Sequence, residues 1–323
     1  MPDLNLLDIV RLNNGDAVTG LVESAVTSKV ELDLFPAVSR AGTSFQVSRR
    51  TALPPVNFAK PGGGVPTSKS TIVLDDHEMF YMEAQLEVPN GIIAAQKRSV
   101  GDVLAIESEG TLKSAFYRLT QQMYYGSKAV GTGKGDAGVV SDALGYPGAI
   151  QIINGDTDYW IKGGGASGSS TSLFLFCLHE QGAHLSVGQD GNMTLTPWIQ
   201  QQIALANGNK TMAQVASFMG WFGMSVVNQF SVYRISGLDG TTGNTLTDDL
   251  IAQLVQKIPT EYRVNMHAFT SRAGARQLQV SRSSIKNQPA DSTGKVGWSP
   301  APTESNDVPL HVTEAIVATE SNA

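Results

Sequence analysis

Leu112, Ala115, Phe116, Leu119 and Met123 recur at i, i+3, i+4, i+7 and i+11, the apolar stripe of an amphipathic helix. Ser99 stands at the N-cap position with Asp102 three residues on, a capping-box pattern. Gly126 occupies a position where helices commonly end. A long helix over 99–126 follows, about 40 Å from end to end at ~1.5 Å per residue, with Gly110 marking a bend. A second helix opens at Thr247, presents Leu250, Ile251, Leu254, Val255 and Ile258, and stops at Pro259. A third is expected around 270–281.

Elsewhere the period is two. Phe45 and Val47 alternate with polar neighbours, and Phe80, Met82, Ala84, Leu86 and Val88 alternate with Met79, Tyr81, Gln85 and Glu87. Alternation of this kind marks half-buried strands. Segment 43–90 therefore reads as two extended limbs around a Gly/Pro tip, "FAKPGGGVPTSK", with Pro54-Pro55 forbidding a regular ladder on the outward limb. Within 127–170, "AIQII" and "DYWIK" read as short strands among Gly-rich loops. "TSLFLFCLHEQGAHLSVGQDG" reads as two strands joined by a Gly turn. Asn207-Gly208 signals a hairpin; a helix from Thr196, with Pro197 in its first turn and Gly208 ending it, is the competing reading. The tail "VPLHVTEAIVATE" reads as strand. Residues 1–40 hold short apolar pieces without a sustained period and look like an arm that needs a partner surface.

Composition adds one point. Only 16% of the 323 residues are charged against 41% apolar; soluble domains carry roughly 25% charged residues. So few charges suggest that part of the surface is covered in an assembly. A net charge of −6 does not mark the whole chain as a nucleic-acid binder. A single cysteine, Cys177, excludes an intrachain disulfide framework and a cysteine metal cluster. The longest strongly apolar run, "LFLFCL", is far too short to span a bilayer, and "MPDLNLLDIVRLNN" lacks the pattern of a secretion signal.

Candidate chemistry mostly fails on geometry. The glycine-rich tip lacks the spacing of a phosphate loop, because Ser68 precedes Lys69-Ser70. Gly163–Gly168 fits G-x-G-x-x-G but is followed by strand-like sequence, so no helix N-terminus would face a pyrophosphate. "HEQGAH" spaces His179 and His184 one residue too far apart for a zinc-binding helix face, and reads as surface histidines on a hairpin. "DDHE" (Asp75–Glu78) puts adjacent residues on opposite strand faces and reads as an acidic patch. Cys177, among Phe and Leu, reads as an inert core residue. No triad is visible, and neither catalysis, a cofactor nor a metal is expected.

One charge pattern remains. Leu34 to Leu74 carries Arg40, Arg49, Arg50, Lys60 and Lys69 with no acid; Asp75 to Asn90 carries Asp75, Asp76, Glu78, Glu83 and Glu87 with no Lys or Arg. A third block, Arg263 to Lys286, is again purely basic. A basic ribbon beside an acidic segment suits head-to-tail contact between identical chains, and Arg49, Arg50, Phe58, Lys60, Lys69, Asp75, Asp76 and Glu78 are the candidate contact residues.

The order of parts, with the late segments "MGWFGMSVVNQFSVYRISGL", "VNMHAFTSRAGARQLQ" and "DVPLHVTEAI", resembles the major capsid proteins of tailed bacteriophages, the Hong Kong 97 type. The resemblance implies an α+β chain divided into an N-terminal arm (1–42), an extended loop (43–90) and a peripheral domain (91–140) with its spine helix. Part of 285–323 would complete that domain, and an axial domain would span 141–284. It implies self-assembly into hexamers and pentamers of an icosahedral shell around double-stranded DNA, made in a bacterial host's cytoplasm, with portal and decoration proteins as further partners and no membrane. No long charged helix precedes the arm, which implies a separate scaffolding protein. Some members cross-link a loop lysine; Lys60 and Lys69 match by position. The rival readings are an encapsulin-like compartment and a cytoplasmic hydrolase using the His179/His184 hairpin.

Overall fold

The computed structural model describes residues 29–320 apart from 53, 55, 59, 61, 65–66, 96–98, 127–143, 154–155, 189–190, 192, 205–207 and 286–299. Most of the expected arm, and Lys286 of the third basic block, lie outside the described residues. What is seen of the arm is a short helix, α1 (Val30–Leu34), and a strand, β1 (Ala37–Ser39). Leu32 and Phe35 are fully buried, so this stretch belongs to the core.

The expected long helix is α3 (Val100–Tyr125), preceded by a short α2 (Asn90–Ala95). The Ser99 hydroxyl accepts the Asp102 amide at 3.2 Å, satisfying one of the helix's orphan donors. The whole expected stripe, Leu112 to Met123, is buried. Gly126 ends the helix for a different reason from the one expected. Its φ is −51°, so no left-handed turn is involved. Instead, a Cβ there would lie 2.3 Å from the Tyr146 carbonyl oxygen and 2.6 Å from that of Gln122. Gly110 sits inside the unbroken element with open space around it.

Two six-stranded sheets pack around this helix. The first runs β1, β7 (Ala183–Val187), β10 (Lys210–Val226), β4 (Phe80–Pro89); β8 (Thr194–Leu195) and β9 (Ile199–Ala204) also pair with β10. The second runs β13 (Glu304–Ser305), β14 (Val308–Val312), β12 (Met266–Thr270), β6 (Thr171–Cys177), β11 (Val232–Leu238), β5 (Trp160–Lys162). β6 is buried on both faces. Phe174 and Phe176 enter the core built on α3, while Leu173, Leu175 and Cys177 enter a second core beneath α5 (Asp248–Lys257) and α6 (Arg272–Ile285). The Thr247 side chain caps α5 by accepting the Leu250 amide at 3.3 Å.

The hairpin at Asn207-Gly208 forms, β9 pairing antiparallel with β10; Asn207 itself lies outside the described residues, and Gly208 has φ +81°. Two expectations fail. "AIQII" is a one-turn helix, α4 (Ala149–Ile153), not a strand. Its β-branched residues are overridden by packing: Ala149, Ile150 and Ile153 share the buried side, and the preceding Gly148 amide donates to the Gly126 carbonyl at 2.9 Å. β6 and β7 are not a hairpin either. They lie in different sheets, and the backbone pairing between them among the described residues is a single parallel bridge from Leu178, just past β6, to Ala183. In the tail, strand structure stops at Val312, and the chain continues irregularly to a bridge between Glu320 and Ser170.

Candidate assembly surface

Segment 43–90 divides at Met79. β2 (Ser44–Ala52) and β3 (Thr71–Glu78) form a separate two-stranded antiparallel ribbon, whereas β4 joins the first sheet alongside β10. Alternation along β4 holds, from Phe80 to Val88 on the inner face. The ribbon is different. Ile72, Val73 and Leu74 are consecutive and all exposed, at 57%, 39% and 62%. Adjacent strand residues face opposite ways, so both faces of the ribbon carry exposed apolar side chains that no described residue covers. A lone two-stranded hairpin is marginal in water, and exposed apolar surface of this kind makes the ribbon a candidate contact site.

The root of the ribbon is fixed to the body. The Arg40 amide donates to the Val187 carbonyl at 2.8 Å and the Met79 amide to that of Thr43 at 2.8 Å. The Arg40 guanidinium lies 4.2 Å from the centre of the Phe45 ring, and Phe45 stacks on His77 at 5.3 Å. This cation–π stack clamps β2 to β3 at the end of the ribbon nearest β1. The far end is the tip. Phe58 is fully exposed there, with Lys60 and Lys69 also in solvent. Gly62 and Gly64 adopt φ of +86° and +63°, backbone that suits glycine, and the Gly63 amide donates to the Lys60 carbonyl at 2.9 Å.

The remaining candidate contact residues lie along the ladder. Its register sets Arg49 against Val73, Arg50 against Ile72, Val47 against Asp75, Gln46 against Asp76 and Ser44 against Glu78. The acidic block therefore lies near the root, with Asp76 and Glu78 exposed and Asp75 half-buried. The backbones of Arg49 and Arg50 stand only a few residues further out on the paired strand. The basic and acidic blocks thus adjoin within one chain more closely than the sequence implies. The third basic block is no bare patch. Arg282 makes paired hydrogen bonds to the Asp248 carboxylate at 2.8 and 2.6 Å, and Arg272 pairs with Glu314.

The chemical motifs resolve into packing. Gly163 and Gly165 donate to the Ser236 and Gly237 carbonyls at 2.7 and 2.8 Å. A Cβ on Gly165 would sit 2.4 Å from the Gly237 oxygen, so these glycines serve a close backbone crossing rather than a nucleotide. Asp239 holds the same crossing, accepting from the Thr241 hydroxyl at 2.6 Å and from the Thr241 and Ala166 amides at 2.8 and 2.9 Å; the hydroxyl bond first, then the two amide bonds, draw its pKa down to about 2. The hydrolase reading of "HEQGAH" loses one of its two histidines. His184 is fully buried, not on the surface, and neither ring nitrogen has a hydrogen-bond partner among the described residues. Burial, then the nearby Arg40, His77 and His179, hold its pKa down to about 4. Burial pushes the Cys177 thiol up to about 12, as an inert core cysteine requires. Among the described residues no group of three or more His, Cys, Asp or Glu is placed to hold a metal ion.

Sequence reasoning missed the apolar run of the ribbon. The signal was present: "TIVL" breaks the alternation expected of a strand with one covered face.

Residues 33–323 match the family model described as Major capsid protein GP7. No curated protein matches the chain significantly. Among solved structures, a chain from the cryo-EM structure of bacteriophage Epsilon15 is 14% identical and superposes with a TM-score of 0.62, covering 88% of this chain and 86% of that one. A chain of the bacteriophage JBD30 capsid is 8% identical with a TM-score of 0.49, over 88% and 90% of the two chains. One of Mycobacterium phage Adephagia is 12% identical with a TM-score of 0.47, over 72% and 97%. The Epsilon15 likeness establishes a shared fold.

Proposed function

The chain belongs to the family of Major capsid protein GP7, and from that premise we propose that it closes into an icosahedral shell of hexamers and pentamers around double-stranded DNA. A phage capsid protein is a part of the virion, and its role is structural rather than catalytic. The observation that carries the proposal is the β2–β3 ribbon, whose Ile72, Val73 and Leu74 are exposed on both faces. In a closed shell a neighbouring copy covers them.

In this reading the ribbon and its tip are the loop that overlies a neighbour, α3 is the spine of a peripheral domain, and residues 141–284 supply the axial domain. Arg49, Arg50, Phe58, Lys60, Lys69, Asp75, Asp76 and Glu78 are contact residues on that loop. Synthesis in a bacterial cytoplasm, a separate scaffolding protein, a portal, decoration proteins and sequence-independent retention of DNA complete the proposal. Expression with the scaffolding protein, followed by sedimentation and negative-stain microscopy, tests it. Particles of megadalton mass are expected; a chain that stays monomeric in every such preparation removes the shell reading.

A further inference from the structure

β9 is an edge strand without protection. It pairs with β10 on one side, from Ile199 against Val215 to Ala204 against Lys210, and with no other strand among the described residues. Soluble proteins blunt such edges with charges, prolines or bulges. β4, the strand on the other side of β10, carries Glu83 and Glu87 and ends at Pro89. β9 carries nothing comparable: its sequence is Ile-Gln-Gln-Gln-Ile-Ala, and the chain has no charged residue between Asp190 and Lys210. Gln200, Gln201, Gln202 and Ala204 are exposed, and Ile199 is 64% exposed. The strand is also held in place. Trp198, just before it, packs against the small apolar cluster of Val88, Ile93 and Val103.

The sequence of the edge says what covers it. Residues 199–203 read Ile-Gln-Gln-Gln-Ile in both directions. An antiparallel strand of the same sequence, centred on Gln201, sets each Ile199 against Ile203 of the other copy, Gln200 against Gln202, and Gln201 against itself. Every cross-strand pair is then like with like: apolar on apolar at the ends, amide on amide between. Pro197 ends the ladder at one side. A self-complementary patch is what a two-fold contact between identical chains requires. We propose that the β9 edge pairs antiparallel with the β9 edge of a second copy across a two-fold axis at Gln201, joining two sheets into one. The pairing needs only two copies. It is distinct from the ribbon, and it does not rest on the shell reading.

Cysteine cross-linking of the full chain tests both contact and register. Cys177 is fully buried and contributes no background. Directly opposed residues hold their Cβ atoms about 4.5–5.5 Å apart, close to disulfide range. Under mild oxidation Gln201→Cys gives a covalent dimer on non-reducing gels. Gln200→Cys and Gln202→Cys, each alone, give at least tenfold less, because each would have to reach a diagonal neighbour; mixed with one another, they give the dimer. A Gln201→Cys chain that stays uncross-linked overturns the proposal, and so do equal yields from all three single variants, which report random collision. A second arm avoids thiols. Gln201→Lys and Gln201→Glu, each alone, place like charges on the axis and lose the association seen by sedimentation, while an equal mixture recovers it. Loss that the mixture does not recover counts against the axis. None of these outcomes bears on family membership, which particle sedimentation with the scaffolding protein addresses separately.

Discussion

Arg234 Nη2 stands 2.9 Å from Glu320 Oε2, with the two side chains 4% and 0% exposed. The carboxylate also accepts from the Tyr125 hydroxyl at 2.5 Å and from Ser172, and Ser172 in turn accepts from Arg234 Nε at 3.0 Å. One ion pair thus ties the last part of the chain to the end of α3 and to two central strands, β6 and β11. Removing one partner of a buried pair leaves the other charge uncompensated, at a cost of about 3–5 kcal/mol. Glu320→Gln is expected to lower subunit stability by that amount in urea unfolding. Arg234→Met with Glu320→Leu is expected to recover most of it, because no charge is then stranded.

His184 gives an acid-dependent term of known sign. Its folded pKa of about 4 lies below the unfolded 6.5, so the unfolded chain binds the extra proton. The neutral form folds without penalty above pH 6.5. Stability is lost as pH falls from 6.5 towards 4, by about 3 kcal/mol in all at 1.36 kcal/mol per pKa unit. Since neither ring nitrogen has a partner among the described residues, His184→Leu sacrifices no hydrogen bond seen there. It is expected to match the parent at pH 7.5 and to exceed it by about 3 kcal/mol near pH 4, read as the difference between their urea midpoints at each pH.

The glycine inside α3 and the glycine that ends it respond in opposite directions. Gly110 is in a helix interior, and a methyl group there would meet nothing within 4 Å, so Gly110→Ala is expected to stabilise by about 0.5–1 kcal/mol. Gly126→Ala drives a methyl into the Tyr146 and Gln122 carbonyls and is expected to cost more than about 2 kcal/mol. Thermal unfolding of the two variants side by side checks the contrast.

Ile72→Asp with Leu74→Asp separates folding from assembly. Both positions are exposed, and surface substitutions change stability by about 0.5 kcal/mol or less. Circular dichroism and the melting temperature are expected to stay near those of the parent, while particle yield falls more than tenfold. Normal particle yield would show that the ribbon's apolar faces remain uncovered in the assembly.

The charge blocks on the same ribbon are tested by reversal. A single exposed pair contributes only about 0.2–1 kcal/mol, so the effect is expected on orientation and encounter rate. Arg49→Glu with Arg50→Glu is expected to slow empty-particle assembly, followed by light scattering, and Asp75→Lys with Asp76→Lys in the same chain to restore part of it. Normal empty particles that fail only to retain DNA would place the basic residues on the genome side.

The elements that declare themselves in the sequence are those with a local cause. Ser99 and Thr247 cap their helices through their own side chains, and the β9–β10 hairpin follows from Asn207-Gly208. The failures have distant causes. "AIQII" is helical because Gly148 and Gly126 bring it against α3. β6 and β7 look like one hairpin because a Gly turn separates them, yet β6 takes β11 and β12 as neighbours and β7 takes β1 and β10, choices made by chain remote in sequence. The burial of His184 was hidden for the same reason. Of the proposed assembly surface, the tip and the charges could be picked out as candidates; the exposed aliphatic run was written in the sequence but drew its meaning only once β3 stood apart from both sheets.

β6 is a wall shared by two cores, with phenylalanines on one side and Leu173, Leu175 and Cys177 on the other. Neither core can loosen without stripping one face of that strand, so the body of the subunit is expected to melt as one piece, with the amides of β6 the last to exchange with solvent. A container made of many copies bends somewhere as it closes. With the body stiffened along its midline, that compliance is expected to fall to the slender ribbon beyond its fixed root at Arg40 and Met79, so that in the proposed shell the reach of each ribbon sets the curvature of the wall.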